Sequence, residues 1–259
     1  IGTSALADNT TANNNTAVGN LSATGNTTGT NNSALGFQSF VTNTTGSGNV
    51  AIGVNSLYAN TTASNNTGIG INALLANTTG NLNVAIGGNS LDANTTASNN
   101  TAVGYSSMST NTTGSRNVAM GRNALEYNLT GDDNSAFGYG ALSSNTTGLT
   151  NVAMGRDALK TNTTAANGIA FGYRSLYSNI GIGSCSLFSN TTGEKNVAFG
   201  VFALLDNTTG DKHTAIGKDA ATNTTTGDDI TAVGYQALYT NTTGFMNIAV
   251  GSTALRLNT

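Results

Sequence analysis

A chain of 259 residues with only 8% charged side chains, a net charge of −3, no proline and no tryptophan is not built like an ordinary mixed globular domain. Its nine scattered Lys and Arg make no basic stripe for nucleic acid. One Cys and one His supply neither an intramolecular disulfide nor a metal set, no run approaches the roughly 18 apolar residues of a membrane span, and no signal peptide is visible.

Read from its first residues, the chain repeats. An apolar residue followed by Gly returns every 17 residues at Gly2, Gly19, Gly36, Gly53, Gly70, Gly87, Gly104, Gly121, Gly138, Gly155 and Gly172. A unit of 11 residues follows, and the spacing then resumes at Gly183, Gly200, Gly217, Gly234 and Gly251. Richness in Asn, Thr, Ala and Gly alone would fit a disordered tract, but a disordered chain has no reason to hold one residue type at one phase. A fixed short period means one structural unit per repeat, stable only when stacked on its neighbours. The absence of proline fits a backbone whose N–H groups are committed to ladders.

With each glycine as phase 0, phase −1 is apolar in all sixteen units, and phase −2 is Ala except at Gly68 and Gly181. Phase +3 is always Ala or Ser, and phase +4 is Leu in twelve units. Asn holds phase −4 in most units, and at +7 it opens a run such as Asn43-Thr44-Thr45-Gly46, whose residue types suit a tight turn. Stacked coils would place these amides one above another as ladders. All charged residues fall at +1, +2, +5, +6, +11 or +12, so these phases are expected to face water, with like charges seldom repeating in the next coil. Gly172 to Gly183 lacks six residues, the distance between the two Asn phases, so Asn179 is expected to serve both.

No 3.6-residue periodicity supports helix. The predicted fold is all-β: a parallel β-roll or β-solenoid of about sixteen stacked 17-residue coils, with one short coil near 173–183. It forms a single repetitive domain over 1–259, roughly 75 Å long at about 4.8 Å per coil. The ends fall in repeat phase and look uncapped, which reads as a segment of a longer fibre. Ile52, Ile69 and Ile86 are expected to form one inward column, joined by Val50 and Val84, and Leu57, Leu74 and Leu91 another. The small Ala51, Ala85, Ala119 and Ala153 would then line a lateral contact, so that Ala119→Arg should disrupt association alone.

Asn49-Val-Ala-Ile-Gly-Val-Asn-Ser-Leu57 resembles the head repeat of trimeric autotransporter adhesins of the YadA-like type. Thr231-Ala-Val-Gly-Tyr-Gln-Ala-Leu-Tyr-Thr-Asn-Thr-Thr-Gly244 resembles the repeats of bacterial surface and phage-like tail-fibre proteins. The resemblance implies a left-handed roll, a homotrimer of side-by-side chains and an extracellular, cell-surface or virion-fibre setting. The longer period and the inserted Asn-Thr-Thr-Gly turn depart from the adhesin unit.

The chemistry expected is sparse. His213 stands at an Asn ladder phase and Cys185 at a variable one, so no catalytic set, cofactor or metal site is assigned, and the chain reads as a non-enzyme. Calcium-binding rolls need Asp at a fixed phase, and here it is confined to variable ones. Asn-x-Thr turns make Asn9, Asn26, Asn43, Asn60, Asn77, Asn94, Asn111, Asn128, Asn145, Asn162, Asn190, Asn207, Asn223 and Asn241 formal glycosylation acceptors, with further matches at Asn14, Asn20, Asn31, Asn65 and Asn99. The function expected is a structural stalk, head or filament of a fibre or adhesin. It would self-associate as a homotrimer or end to end as a filament, with a surface receptor or glycan as an outside partner. The alternatives are a glycan-decorated filament and, from the stacked threonines, an ice-binding solenoid.

Overall fold

The structure is a computed structural model that describes residues 1–175 and 179–258. The chain divides into two compact units, Ile1–Asn134 with Asn145–Thr147, and Ser135–Ser144 with Gly148–Thr259. The first holds β1 (Thr16–Val18), β2 (Ser33–Leu35), β3 (Val50–Ile52), β4 (Thr67–Ile69), β5 (Val84–Ile86), β6 (Thr101–Val103) and β7 (Val118–Met120). The second holds β8 (Ser135–Phe137), β9 (Val152–Met154), β10 (Ile169–Phe171), β11 (Ile180–Ile182), β12 (Val197–Phe199), β13 (Thr214–Ile216), β14 (Thr231–Val233) and β15 (Ile248–Val250). The fold is a parallel β-solenoid, and no helix occurs among the described residues.

Within each unit every strand pairs in parallel with its neighbours in sequence, at the 17-residue offset: Val50↔Thr67, Ala51↔Gly68 and Ile52↔Ile69. The short coil keeps the same register through an 11-residue offset, Ile169↔Ile180 and Phe171↔Ile182. The backbone ladder is alternate, with Val50 N–H donating forward to Asn66 (2.8 Å) and Gly53 N–H backward to Leu35 (2.8 Å). The phase 0 glycine is required twice over. Gly53 has φ +129°, and a Cβ there would stand 2.5 Å from the Gly70 carbonyl oxygen of the next coil.

Each coil is closed by left-handed residues at +2 and +4, for example Asn55 (φ 56°) with Leu57 (φ 51°). A Leu in that region is uncommon, at a cost on the order of 1–3 kcal/mol. Burying its side chain, which contributes about 1.5–3 kcal/mol, offsets this. Leu57, Leu74 and Leu91 are fully buried, as the periodicity predicts, while Leu176 lies outside the described residues. Ser at +3 reinforces the stack by donating to the next coil's strand carbonyl, as Ser56 Oγ does to Gly68 (2.8 Å).

The other expected column is reversed. Ile52 and Ile69 are half-buried and Ile86 is 38% exposed, and Val50 and Val84 sit outward with them. The inward residue of each strand is the middle one: Ala51, Ala85, Ala119 and Ala153 are at most 1% exposed, so they are core and not a lateral contact. Strand alternation puts −2 on the face opposite −1 and −3, so only one set can be inside. The inward set is the small one, with Ala or Gly at every described phase −2 packed against the fully buried Leu column. Ala119→Arg should therefore not dissociate a folded chain. It should cost roughly 3–5 kcal/mol by burying an unpaired charge, while Met120→Arg, on the 43% exposed outer side, buries no charge and should leave the chain folded with the circular dichroism of the parent.

Candidate functional site

Two surfaces of the coil carry its distinctive side chains, and the Asn-Thr-Thr-Gly turn is the first. Asn43 Nδ2 donates both to Asn26 Oδ1 in the coil before (2.6 Å) and to the Gly46 carbonyl of its own turn (3.0 Å). The pattern recurs at Asn60, Asn77, Asn94, Asn111, Asn128 and Asn207. Twelve of the fourteen turn acceptors, including Asn26, Asn145, Asn162, Asn190 and Asn241, are at most 3% exposed, while Asn9 and Asn223 are half-buried. In the laddered turns both hydrogens of the nitrogen that would carry a glycan already make bonds inside the stack. A sugar there would remove a donor and force open the turn. The formal acceptors that reach solvent are instead Asn14, Asn20, Asn31, Asn65 and Asn99.

A second amide ladder runs at −4. Asn32 N–H donates to Asn15 Oδ1 (2.9 Å), and Asn32 Nδ2 reaches across the coil to the Gly46 carbonyl (2.9 Å). Asn179 makes this set of bonds, donating to Gly193 (2.9 Å) and accepting from Asn196 N–H (2.7 Å). The first Thr of each turn is also committed, as Thr44 Oγ1 donates to the Thr61 carbonyl (3.1 Å). Only the second Thr stands free at the surface, and two flat threonine columns are not presented together.

The acidic phase +11 departs from its expected role. Glu194, Asp211 and Asp228 occupy it in three consecutive coils. Asp211 and Asp228 each accept the backbone N–H of the preceding coil's residue (2.7 and 2.8 Å), a bond that Ser or Asn makes elsewhere. At +12, opposite charges pair between coils, as Arg116 and Asp133 do at 2.7 Å. Phase +2 is not uniformly solvated either, because Asp157 is only 4% exposed.

His213 fills an Asn position by mimicry. Its N–H donates to Asn196 Oδ1 (2.8 Å), and its Nδ1 accepts from Ile230 N–H (3.2 Å) in place of an amide oxygen. Nε2 is buried without a hydrogen-bond partner. Burial holds the imidazole below its ordinary value of 6.5, against the opposing pull of Asp228, Asp211 and Asp229. Cys185 is half-buried, with the Ser184 hydroxyl 3.8 Å from its sulfur. No group of three or more His, Cys, Asp or Glu is placed to hold a metal among the described residues, and no helix is long and apolar enough to cross a membrane.

The second surface is the outer side of the strands. Phases −3, −1 and +1 project together, giving in the first unit Val50, Ile52 and Val54, then Val84 and Ile86, then Val118 and Met120. Leu35, Phe37, Ile71, Tyr105 and Met120 on this side are 43–59% exposed. In the second unit Met154, Phe199 and Val250 continue the pattern at 45–69%. No charge occurs at −3 or −1 anywhere, and at +1 only Arg122, Arg156 and Lys218 do. Contiguous apolar exposure on this scale marks an interaction site more often than chance. The signal was present in the sequence as the uniformly apolar phase −1 beside a small residue, while phase −3 is divided between Val or Ile and Ser or Thr, as at Ser33, Thr67, Thr101 and Ser135. Comparison with family models, with curated proteins and with solved structures finds no match to this chain.

Two outcomes test the ladders. The coil from Gly217 carries Thr224 where others carry the turn Asn, and both Thr224 Oγ1 and Asn207 Oδ1 are left buried without partners. Thr224→Asn should close that gap and raise stability by about 1–3 kcal/mol in a denaturant titration. For His213, a depressed folded pKa means that the unfolded chain takes up the proton first. Its contribution is then complete above pH 6.5 and is lost as pH falls below it. Melting temperatures measured between about pH 7 and 5 should fall on acidification, and more steeply in the parent than in His213→Asn.

Proposed function

We propose that this chain is a non-catalytic structural segment of an extracellular fibre or adhesin, and that copies associate side by side through the apolar outer face of their strands. The observation that carries the reading is that face itself. It is unbroken by charge at two of its three columns and repeats with the coil. A stable protein interface buries about 800 Å² per partner. The −1 column, with Leu35, Ile86, Met120, Met154, Phe199 and Val250 each 38–69% exposed, offers a continuous apolar file for such a contact. An identical chain is the natural occupant, because it offers the same spacing along the same axis. The likeness of residues 49–57 to adhesin head repeats supports both a trimer and a surface location.

Sedimentation of the unmodified chain should give a mass near three times 26.0 kDa. The double variant Ile86→Glu and Met120→Glu, on the exposed side, should sediment as a folded monomer with unchanged circular dichroism. A monomeric, well-folded parent would sink the proposal. The glycan-decorated alternative keeps one supporting observation, the exposure of Asn14, Asn20, Asn31, Asn65 and Asn99. Site mapping of material from its natural host should then find sugar there and not at the buried turn amides.

A further inference from the structure

The backbone ladder on the turn side is interrupted just before the short coil. In ordinary coils the +12 N–H donates to the +11 carbonyl of the coil before, as Asn65 does to Ser47 (2.9 Å) and Lys212 to Glu194 (2.9 Å). Asn167 N–H still donates backward in this way, to Leu149 (3.0 Å). The short coil has no phase +11 or +12, and the Ala166 carbonyl accepts no hydrogen bond among the described residues. A segment tied on one side only opens more readily than its neighbours.

Asn167 belongs to that segment. It is exposed, left-handed at φ 63°, and followed by Gly168 in the one Asn-Gly pair of the sequence. The other Asn residues at this phase, Asn14, Asn31, Asn65 and Asn99, each precede an Asn of the −4 ladder. Gly168 stands at −4 with no side chain to join that ladder or to shield its main-chain nitrogen. It keeps only the backbone bond, its N–H donating to Asn151 Oδ1 (2.8 Å). Thr150 Oγ1 lies 2.7 Å from Asn167 Oδ1 and 2.7 Å from the Leu149 carbonyl. Its proton can therefore turn to the amide oxygen when negative charge develops there.

We infer that Asn167 is the site at which this chain deamidates, and that the closed coil sets the rate. The Gly168 main-chain nitrogen gives up its proton and bonds to Asn167 Cγ. The Cγ–Nδ2 bond then breaks, and ammonia leaves with that proton. Water opens the resulting five-membered succinimide. Attack at Cγ gives aspartate with the main chain unchanged, and attack at the main-chain carbonyl gives isoaspartate, with the chain rerouted through Cγ. The net exchange is one amide and one water for one carboxylate and one ammonium, with no oxidant or cofactor. While the coil is closed the Gly168 N–H is held by Asn151, so attack waits on local opening. Aspartate suits a phase that already carries Asp133 and Asp229. Isoaspartate does not, because its extra main-chain carbon displaces Gly168, whose carbonyl takes the Val152 N–H (2.8 Å) beside β10.

The test is to hold the whole chain in mildly alkaline buffer, with and without urea. Its Asn residues are then followed by peptide mapping that resolves aspartate from isoaspartate. Two variants accompany the parent. Gly168→Asn restores the usual −4 residue, and Asn167→Thr installs the residue that Thr150 supplies at the same phase. In the folded parent both products should accumulate at Asn167 at least tenfold faster than at any other Asn, and faster still in urea. Gly168→Asn should slow conversion there at least tenfold, and Asn167→Thr should leave no Asn of comparable rate, both with the circular dichroism of the parent. An unconverted Asn167 in the folded chain, another Asn reacting as fast, or undiminished conversion in Gly168→Asn would each overturn the site. A rate no higher in urea would overturn its control by the coil.

Discussion

Each phase of this fold is stacked on the same phase of the next coil about 4.8 Å away, because the chain pairs with itself in register. That constraint selects side chains that can satisfy an identical neighbour. Asn does so better than any other residue, since its amide both donates and accepts, and the structure uses it at two phases. At +7 the amide links coil to coil and pins the turn. At −4 it takes the next coil's backbone N–H and bridges to the opposite carbonyl. These bonds are buried, where each unmade partner costs about 1–3 kcal/mol. They fix the register that a core of Ala and Leu alone would hold only loosely. Glycine answers the same constraint sterically, since at phase 0 no Cβ fits beneath the next coil's carbonyl.

A narrow interior follows from the stack, and the outer surface follows from the narrow interior. With Asn on two sides and Leu at the corner, the strand can turn only a methyl inward. Its Ile, Val, Met and Phe are pushed outward, where one chain leaves them half in water. The molecule thus buries amides at its turns beside a Leu and Ala core and leaves large apolar side chains half exposed on the outer side of its strands. A chain so organised gains more from a second copy than from any refinement of its own core, and that links the ladder chemistry to a role in assembly.

Much of this was legible in the sequence, and the limits are instructive. The period, the parallel stack and the buried Leu57 column could be read from the repeat, because a fixed offset admits few architectures. Ile86 could not be placed by hydrophobicity, which says only that it avoids water. Which face closes on itself depends on the width of the coil, and that width is a three-dimensional quantity. The turn amides illustrate the same gap. Asn43 reads as a glycosylation acceptor in one dimension, and only the bonds to Asn26 and Gly46 reveal that its nitrogen is already spent. The deletion before Gly183 was visible, whereas the charges gathered around Asp157 were not.

Departures from the repeat carry information that the repeat itself withholds. His213 replaces an amide yet keeps its accepting atom, so the ladder passes through it only while the ring is neutral. Thr224 replaces an amide and keeps nothing, so the ladder stops and strands Asn207 Oδ1. The short coil removes a whole turn side but spares the strand, so register continues while the surface breaks. In a periodic solenoid any site that repeats in every coil is a property of the material, such as a contact face or a stabilising ladder. In the second unit Arg156, Lys160 and Arg174 gather around the buried carboxylate of Asp157, an arrangement set by departures from the repeat at +1, +2 and +5.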